Sequence, residues 1–278
     1  MAAEGATKDI QLLAVRGADE ARRGDVVAVE EPLEIRVQGP EQPETRVAVT
    51  MRTPGHDEEL AVGFLFTEGL LRGRGDLARP ATRGLPVAGG QGNVVTVRLS
   101  RAFDATSLQR NFYATSSCGI CGKAALEHVE TGAAPLSGGP VLRREVLRTL
   151  PDALRQGQAV FERTGGLHAT GLFTSEGQLL MVREDVGRHN AIDKLIGRRV
   201  LDGAVPLDAQ VGMVSGRLSF EIVQKAAMAG LTVLCAVSAP SSLAVQLADR
   251  LGMTIVGFLR GDGFNVYAHP HRIGAAGV

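Results

Sequence analysis

The sequence predicts an α/β protein whose N-terminal part is α+β. Two observations carry this. From about residue 141 onward, helix-like and strand-like segments alternate, which in a globular chain implies a mostly parallel central sheet with helices packed on its faces. Before that point, short β-runs set off by Gly and Pro breakers surround one strongly periodic helix. Composition fixes the broader class: 44% of the 278 residues are hydrophobic and 22% charged, the proportions of a folded globular chain. The texture divides the chain into an α+β domain (1–110), a CxxC-bearing linker expected to be mobile (111–140) and a ligand-binding domain (141–278).

In the first part, Asp25-Val-Val-Ala-Val and Thr45-Arg-Val-Ala-Val-Thr read as half-exposed strands separated by Gly39-Pro40. Asp57-Glu58-Glu59 opens an apolar-periodic run that reaches Leu71. Acidic residues in a first turn complement the helix dipole, so a helix is expected there. Residues 73–92, rich in Gly, Pro and Arg, read as loop, and Asn93–Leu99 alternates as a strand. After the Gly/Pro/Ser stretch at 131–140 a helix is expected at Arg143–Gln156. Strands His168–Thr174 and Leu179–Arg183 follow, joined by a turn at Ser175-Glu176-Gly177. The order continues as helix Gly187–Val200, strand Gln210–Ser215, helix Ser219–Ala229, strand Leu231–Ser238, helix Ser241–Leu251 and strand Met253–Leu259.

Charge and cysteine usage narrow the function classes. Thirty basic residues balance thirty acidic ones, so no global field attracts nucleic acid or an anionic membrane, and any anion site must be local. Three cysteines, Cys118, Cys121 and Cys235, cannot build a disulfide framework, and the odd count fits a reducing cytoplasm. The first residues carry neither a basic nor an apolar signal region. The longest apolar stretch, Leu231–Ala239, is far short of the ~20 residues that span a bilayer. Gly supplies 35 residues, nearly twice the usual ~7%, which points to tight turns and close ligand approach.

The sharpest motif is Thr115-Ser-Ser-Cys-Gly-Ile-Cys-Gly-Lys, ahead of an expected helix at Lys123–Val129. A thiolate beside a helix N-terminus is stabilised by the dipole and by free N–H groups, which lowers its pKa. We therefore assign Cys118 as the nucleophile and Cys121 as its partner. The alternatives are half of a zinc site, completed by His128 or His168, and two packing cysteines. A closed zinc site needs four ligands, and Cys235 sits in an apolar strand expected to be core. A zinc-dependent, deaminase-like hydrolase would also need the general acid/base Glu of a His-x-Glu pair; here His168-Ala169-Thr170 has Thr in its place.

Three further motifs share one form, a strand end feeding a helix start. They are Arg183-Glu-Asp-Val-Gly-Arg-His-Asn-Ala-Ile-Asp-Lys, Val214-Ser-Gly-Arg-Leu-Ser-Phe-Glu and Val237-Ser-Ala-Pro-Ser-Ser-Leu-Ala. From one parallel sheet such junctions cluster at the carboxyl edge, where open α/β sheets bind ligands. Their N–H groups and hydroxyls suit phosphate or pyrophosphate. Each alone is explained as an N-cap with a solvated Arg; together, with Arg188, His189, Ser215, Arg217 and Ser238, they favour an anionic ligand. A fifth segment, Phe258, Leu259, Arg260, Gly261, Asp262 and Gly263, reads equally as a plain hairpin turn or as a guanine-edge acceptor at Asp262. His168 follows Gly165-Gly166 and reads as a structural His or as a binding group; His56, at the start of the first helix, is expected to face the cleft.

Taken in order, the motifs resemble those of the formate dehydrogenase accessory sulfurtransferases of the FdhD/NarQ type. The resemblance runs from about Glu31 to His269. It includes Arg52-Thr-Pro-Gly-His-Asp-Glu-Glu-Leu, Gly63-Phe-Leu-Phe-Thr-Glu-Gly, Ser117-Cys-Gly-Ile-Cys-Gly, Gly166-Leu-His-Ala-Thr-Gly, the Arg183–Lys194 motif, Ser215-Gly-Arg and Ser238-Ala-Pro-Ser-Ser. It implies a sulfur carrier that takes persulfide sulfur from a cysteine desulfurase and passes it to the bis(molybdopterin guanine dinucleotide) molybdenum cofactor, as bound substrate, for formate dehydrogenase. It also implies a cytidine-deaminase-like C-terminal domain, a homodimer, and cofactor contact at Phe258–Gly263, with GDP a partial mimic of the cofactor. A thiol-independent chaperone of the same cofactor is the rival reading; it would keep its function when both cysteines become Ser.

Overall fold

The computed structural model describes residues 5–78, 82–83, 92–103 and 133–274. Cys118, Cys121 and the helix expected at Lys123–Val129 lie outside the described residues, as does most of the 111–140 linker. Strands β1 (Thr7–Arg16) and β2 (Asp19–Ala28) form a two-stranded antiparallel hairpin. Strands β3 (Glu31–Gln38), β4 (Thr45–Arg52), β5 (Thr82–Arg83) and β6 (Val94–Arg98) form a sheet of order β4-β3-β6-β5. Helix α1 (Asp57–Thr67) follows β4. It stops at Thr67 rather than Leu71 because Gly69 takes φ +77 and the N–H groups of Leu70 and Leu71 both turn back to the Leu65 carbonyl. Leu70 and Leu71 are still buried, which is why the apolar pattern outruns the helix.

Helices α2 (Arg144–Gly157) and α3 (Ala159–Thr164) open the second half. They precede a six-stranded sheet made of β7 (His168–Phe173), β8 (Leu179–Asp185), β9 (Val211–Val214), β10 (Val233–Ala236), β11 (Thr254–Arg260) and β12 (Gly263–Ala268). Helices α4 (Arg188–Leu201), α5 (Phe220–Met228) and α6 (Ser242–Leu251) connect β8 to β9, β9 to β10 and β10 to β11. The strand order is β12-β11-β10-β9-β7-β8. The sheet is mixed rather than mostly parallel: only β9–β10 and β10–β11 pair in parallel, while β7–β8, β7–β9 and β11–β12 are antiparallel. The reason is covalent. Tight turns join β7 to β8 and β11 to β12, and a short hairpin connection admits only antiparallel pairing. Helix α4 then carries the chain past β7 to β9, leaving β7 reversed between two strands that run the other way.

Side chains alternate across this sheet. Ala169 and Phe173 pack with Leu147, Leu150 and Leu154 of α2 on one face. Leu172 packs with Ile192, Leu195 and Ile196 of α4 on the other. That second core continues without a break into Leu33, Ile35, Leu60 and Leu65 of the N-terminal part, so α1 and α4 lie back to back between the two sheets. Each fully buried Leu or Ile there contributes roughly 1.5–3 kcal/mol. Their closest approach is at Gly63 and Gly197. A Cβ on Gly63 would collide with the Asp193 carbonyl, and one on Gly197 with the Glu59 carbonyl.

Arg183 of β8 pins α1 from the side, its Nη2 2.9 Å from Glu59 Oε1, while His56 Nδ1 lies 3.4 Å from Glu59 Oε2. Burial pushes the Glu59 carboxyl up, but the hydrogen bonds and charges of His56 and Arg183 outweigh it and hold the pKa at about 2, below the ordinary 4.5.

Gly197→Ala is expected to destabilise the protein by at least the ~1–3 kcal/mol typical of overpacking, because backbone rather than a flexible side chain is in the way. Gly75→Ala, which meets nothing within 4 Å, should leave urea denaturation within ~0.5 kcal/mol of wild type. The Glu59 contribution to stability is complete above pH 4.5 and is lost as pH falls toward 2; in Glu59→Gln this acid limb of the stability profile should be flattened.

Candidate functional site

The strand polarities bring the ends of β8, β9, β10 and β11 and the beginning of β7 to one edge of the six-stranded sheet. Helices α4, α5 and α6 all start there. The motif Arg183–Lys194 is held by Asp185, which is fully buried. Its Oδ2 lies 2.6 Å from Lys194 Nζ and accepts the Thr53 N–H at 3.1 Å. Its Oδ1 accepts the N–H of Gly187 and the amide of Asn190, both at 2.9 Å. Lys194 also donates to the Thr53 carbonyl at 2.8 Å. Removing either charge would strand the other in the interior, at a cost of about 3–5 kcal/mol.

Two of the three helix starts are left open. Helix α4 begins after Gly187 and α5 after Ser219, and neither residue caps its helix with a side chain. By contrast, the Ser241 hydroxyl accepts the Ala244 N–H at 3.2 Å and closes α6. At the open pair, Arg188 Nε and Ser219 Oγ are buried without a hydrogen-bond partner. His189 bridges the two starts, its Nε2 2.7 Å from Glu221 Oε2 in the first turn of α5, and this close contact holds the Glu221 carboxyl below its ordinary range. Free N–H groups, the positive ends of two dipoles and an unpaired guanidinium nitrogen are the groups that complement negative charge.

The remaining predicted residues surround this point. Ser215 Oγ accepts the Ala169 N–H at 2.9 Å, and Gly216 passes so close to His168 that a Cβ would stand 3.4 Å from its Nδ1. Burial, and then the positive charges of Arg188 and His189, push the His168 pKa below 6.5 against the pull of Asp185. Arg217 is exposed. The Ser238 carbonyl accepts the Phe258 N–H at 3.1 Å, which ties the fourth motif to the fifth. Phe258 adopts φ +52 in an irregular stretch of the β11–β12 pairing, with the Arg260 guanidinium 5.7 Å from its ring centroid. Gly261, Asp262 and Gly263 are exposed at the hairpin tip, whereas the Leu259 side chain is buried in the core and offers only backbone. His56 is engaged with Glu59, as described above. Cys235 is core, as expected, and burial pushes its thiol up to about 12. Among the described residues no group of three His, Cys, Asp or Glu could hold a metal ion, and no helix is long and apolar enough to cross a membrane.

Sequence reasoning missed α3 and the residues it brings to this edge. The Glu184 carboxylate accepts the N–H groups of Val160 and Phe161 at 3.0 and 2.8 Å, so the first turn of α3 is fixed by a strand residue distant in sequence. Together with the end of α2 it walls a cavity of about 470 Å³ that reaches His168 and Ser215.

With this geometry in place, the likeness to known proteins is specific. The family model described as the FdhD/NarQ family matches residues 28–274. The chain belongs to the FdhD/NarQ family. Sulfur carrier protein FdhD of Streptomyces avermitilis is 51% identical over 274 residues, covering 96% of this chain and 95% of that protein. The protein of the same name from Mycobacterium tuberculosis is 50% identical, over 90% and 92%, and that from Sulfurisphaera tokodaii 42% identical, over 96% and 98%. The crystal structure of a formate dehydrogenase accessory protein from Desulfotalea psychrophila superposes with a TM-score of 0.73 at 25% identity, covering 97% of this chain and all of that one. The expected membership of this family therefore holds across nearly the whole chain.

An NMR pH titration should find His168 below 6.5 and Arg188→Gln should move it upward, because a neighbouring positive charge is removed. An unmoved or lowered value would contradict the placement of Arg188. Since the folded state holds this proton more weakly than the unfolded chain, the His168 contribution to stability falls as pH drops through 6.5.

Proposed function

We propose that this protein is a sulfur carrier that serves formate dehydrogenase. The Cys118 thiolate attacks the terminal sulfur of a persulfide on a cysteine desulfurase; the new S–S bond forms on Cys118 and the donor cysteine leaves as thiolate. Cys121 is the second thiol of the relay. Cys121 then attacks Cys118 Sγ, a Cys118–Cys121 disulfide forms, and the outer sulfur leaves as sulfide for the molybdenum of bis(molybdopterin guanine dinucleotide), the bound substrate. The observation that carries the ligand half of this reading is the pair of uncapped helix starts with the orphaned Arg188 Nε and Ser219 Oγ. Their chemistry fits a pyrophosphate, with His189, Ser215, Arg217, Ser238 and the Phe258–Gly263 hairpin as further contacts. The sulfur half is supported by family membership and by relatives that are named sulfur carriers.

On this reading the C-terminal half is a cytidine-deaminase-like scaffold put to a new use, with Thr170 where a deaminase has its catalytic Glu. The protein acts in the cytoplasm as a homodimer, and GDP mimics part of the substrate. A local anion site on a chain of zero net charge also lets the protein grip a multiply charged ligand without collecting nucleic acid.

The test is the intact mass of the protein after incubation with a desulfurase and cysteine, read without reductant. Wild type and Cys121→Ser should gain one sulfur that reductant removes, and Cys118→Ser should gain none while still binding GDP. No gain in wild type under active desulfurase would replace this reading with the thiol-independent chaperone.

A further inference from the structure

The seam between α4 and α5 carries two rungs of charge. His189 and Asp193 stand one turn apart on α4, and Glu221 and Lys225 one turn apart on α5, so each pair shares a helix face. The inner rung is buried, with Asp193 1% and Lys225 7% exposed. Lys225 Nζ donates to Asp193 Oδ2 and to Thr67 Oγ1, both at 2.9 Å, and the Thr67 hydroxyl donates to Asp193 Oδ1 at 2.9 Å. Glu68 stands 3.6 Å from the same ammonium. Two carboxylates thus share one ammonium, and burial pushes both carboxyls up, so a further positive charge beside them is favoured. His189, one turn along α4, is placed to carry it and already draws the Asp193 carboxyl down against that burial.

The outer rung is incomplete. His189 Nε2 is buried and 2.7 Å from Glu221 Oε2, yet off the directions in which a hydrogen bond forms, so it joins Arg188 Nε and Ser219 Oγ as a buried atom without a hydrogen-bond partner. A nitrogen lone pair facing a carboxylate oxygen at that distance would be repelled, so the contact calls for a proton on Nε2. Whether Nδ1 carries a second proton depends on opposed charges. Glu221 of α5, Asp193 of α4 and Glu68 at the end of α1 favour the imidazolium; Arg188, Lys225 of α5 and His168 of β7, when charged, oppose it. Asp185 of β8 is offset by Lys194, and Arg217 on the turn into α5 is exposed.

We propose that His189 is the proton-bearing partner of the ligand's anionic group: when an anion seats between the starts of α4 and α5, the ring passes from the Nε2–H imidazole to the imidazolium, taking the proton for Nδ1 from solvent. The anion neutralises Arg188, the charge that opposes protonation from the neighbouring position, and adds its own attraction for the imidazolium. Glu221 and the Asp193–Lys225 rung are positioning residues, since they hold the ring and bias its charge without meeting the ligand. The inference rests on the ligand half of the proposed function, and it adds that cargo binding and proton binding are coupled.

Calorimetric titration of the whole protein with GDP, repeated in two buffers of different ionisation enthalpy, counts the protons taken up per ligand bound. The phosphate of GDP contributes equally in every variant, so the difference between wild type and His189→Gln reads the imidazole alone. Near neutral pH wild type should take up roughly 0.3–1 proton more than His189→Gln, and its affinity should fall more steeply as pH rises. His168→Gln should keep the extra uptake. Equal uptake in wild type and His189→Gln, or an excess that is lost in His168→Gln and kept in His189→Gln, would overturn the inference. If His189→Gln folds poorly, the ring-nitrogen NMR signals of His189 in wild type give the second reading: they should move from the neutral toward the imidazolium pattern on saturation with GDP, and an unmoved pattern would overturn the inference equally. Absence of GDP binding in wild type would remove the ligand half of the proposed function and this inference with it, whereas binding without the extra proton removes this inference alone.

Discussion

The carboxylate of Asp185 receives the Thr53 N–H, the Gly187 N–H, the Asn190 amide and the Lys194 ammonium. These partners come from the end of the N-terminal sheet, from the turn into α4 and from two successive turns of α4 itself. A single buried charge thereby fixes the N-terminal part against the C-terminal one at the place where α4 starts. The interior admits that charge only because Lys194 stands beside it and the remaining lone pairs are occupied. The second join is the α1–α4 crossing at Gly63 and Gly197, where the backbones themselves touch. Between them, an ion pair sets the height of α4 and a glycine contact sets its distance, so the first turn of α4 has little freedom.

That rigidity explains why α4 can remain uncapped. A Ser, Asp or Asn at Gly187 would ordinarily satisfy the first N–H groups, but a Cβ there would come within 3.0 Å of the Asn190 amide, which is committed to Asp185 and to the Met51 carbonyl at 2.7 Å. The network that anchors the helix also excludes the residue that would close its end. The same edge shows the contrast directly: Ser241 caps α6, while Ser219, the same residue type at the same position of α5, leaves its hydroxyl unpaired.

Much of this architecture was legible in the sequence. Alternation gave β7, β8 and the helices α4 to α6 to within a residue or two, and the strand-end motifs at Arg188, Ser215 and Ser238 do meet at one edge. What was not legible depends on contacts far apart in the chain. The direction of β7 follows from its hairpin with β8 and not from its own pattern, so equal alternation of helix and strand suggested a parallel sheet. Helix α3 is short and owes its first turn to Glu184, a residue of a later strand. Gln158 and Phe161 therefore carry no local signal that they line a cavity. The overlong expectation for α1 has the opposite cause: Leu70 and Leu71 keep the helical spacing of buried residues after the backbone has turned away at Gly69.

Leaving polar groups unpaired in a folded protein costs about 1–3 kcal/mol for each that is truly buried, a large fraction of the stability of an ordinary domain. Among the described residues, two of the buried atoms without a partner, Arg188 Nε and Ser219 Oγ, stand at the two uncapped helix starts of one edge, with a further one, Arg199 Nε, in the last turn of α4, while the ion pairs of Asp185 and Glu59 a short way behind the edge are satisfied. A fold that pairs its deepest charges so completely has no general difficulty in meeting polar demand. The unmet demand at the edge consists of donors and dipole ends, the groups that negative charge satisfies. An anion held there would meet these donors and, by binding only the folded state, would raise the stability of the protein.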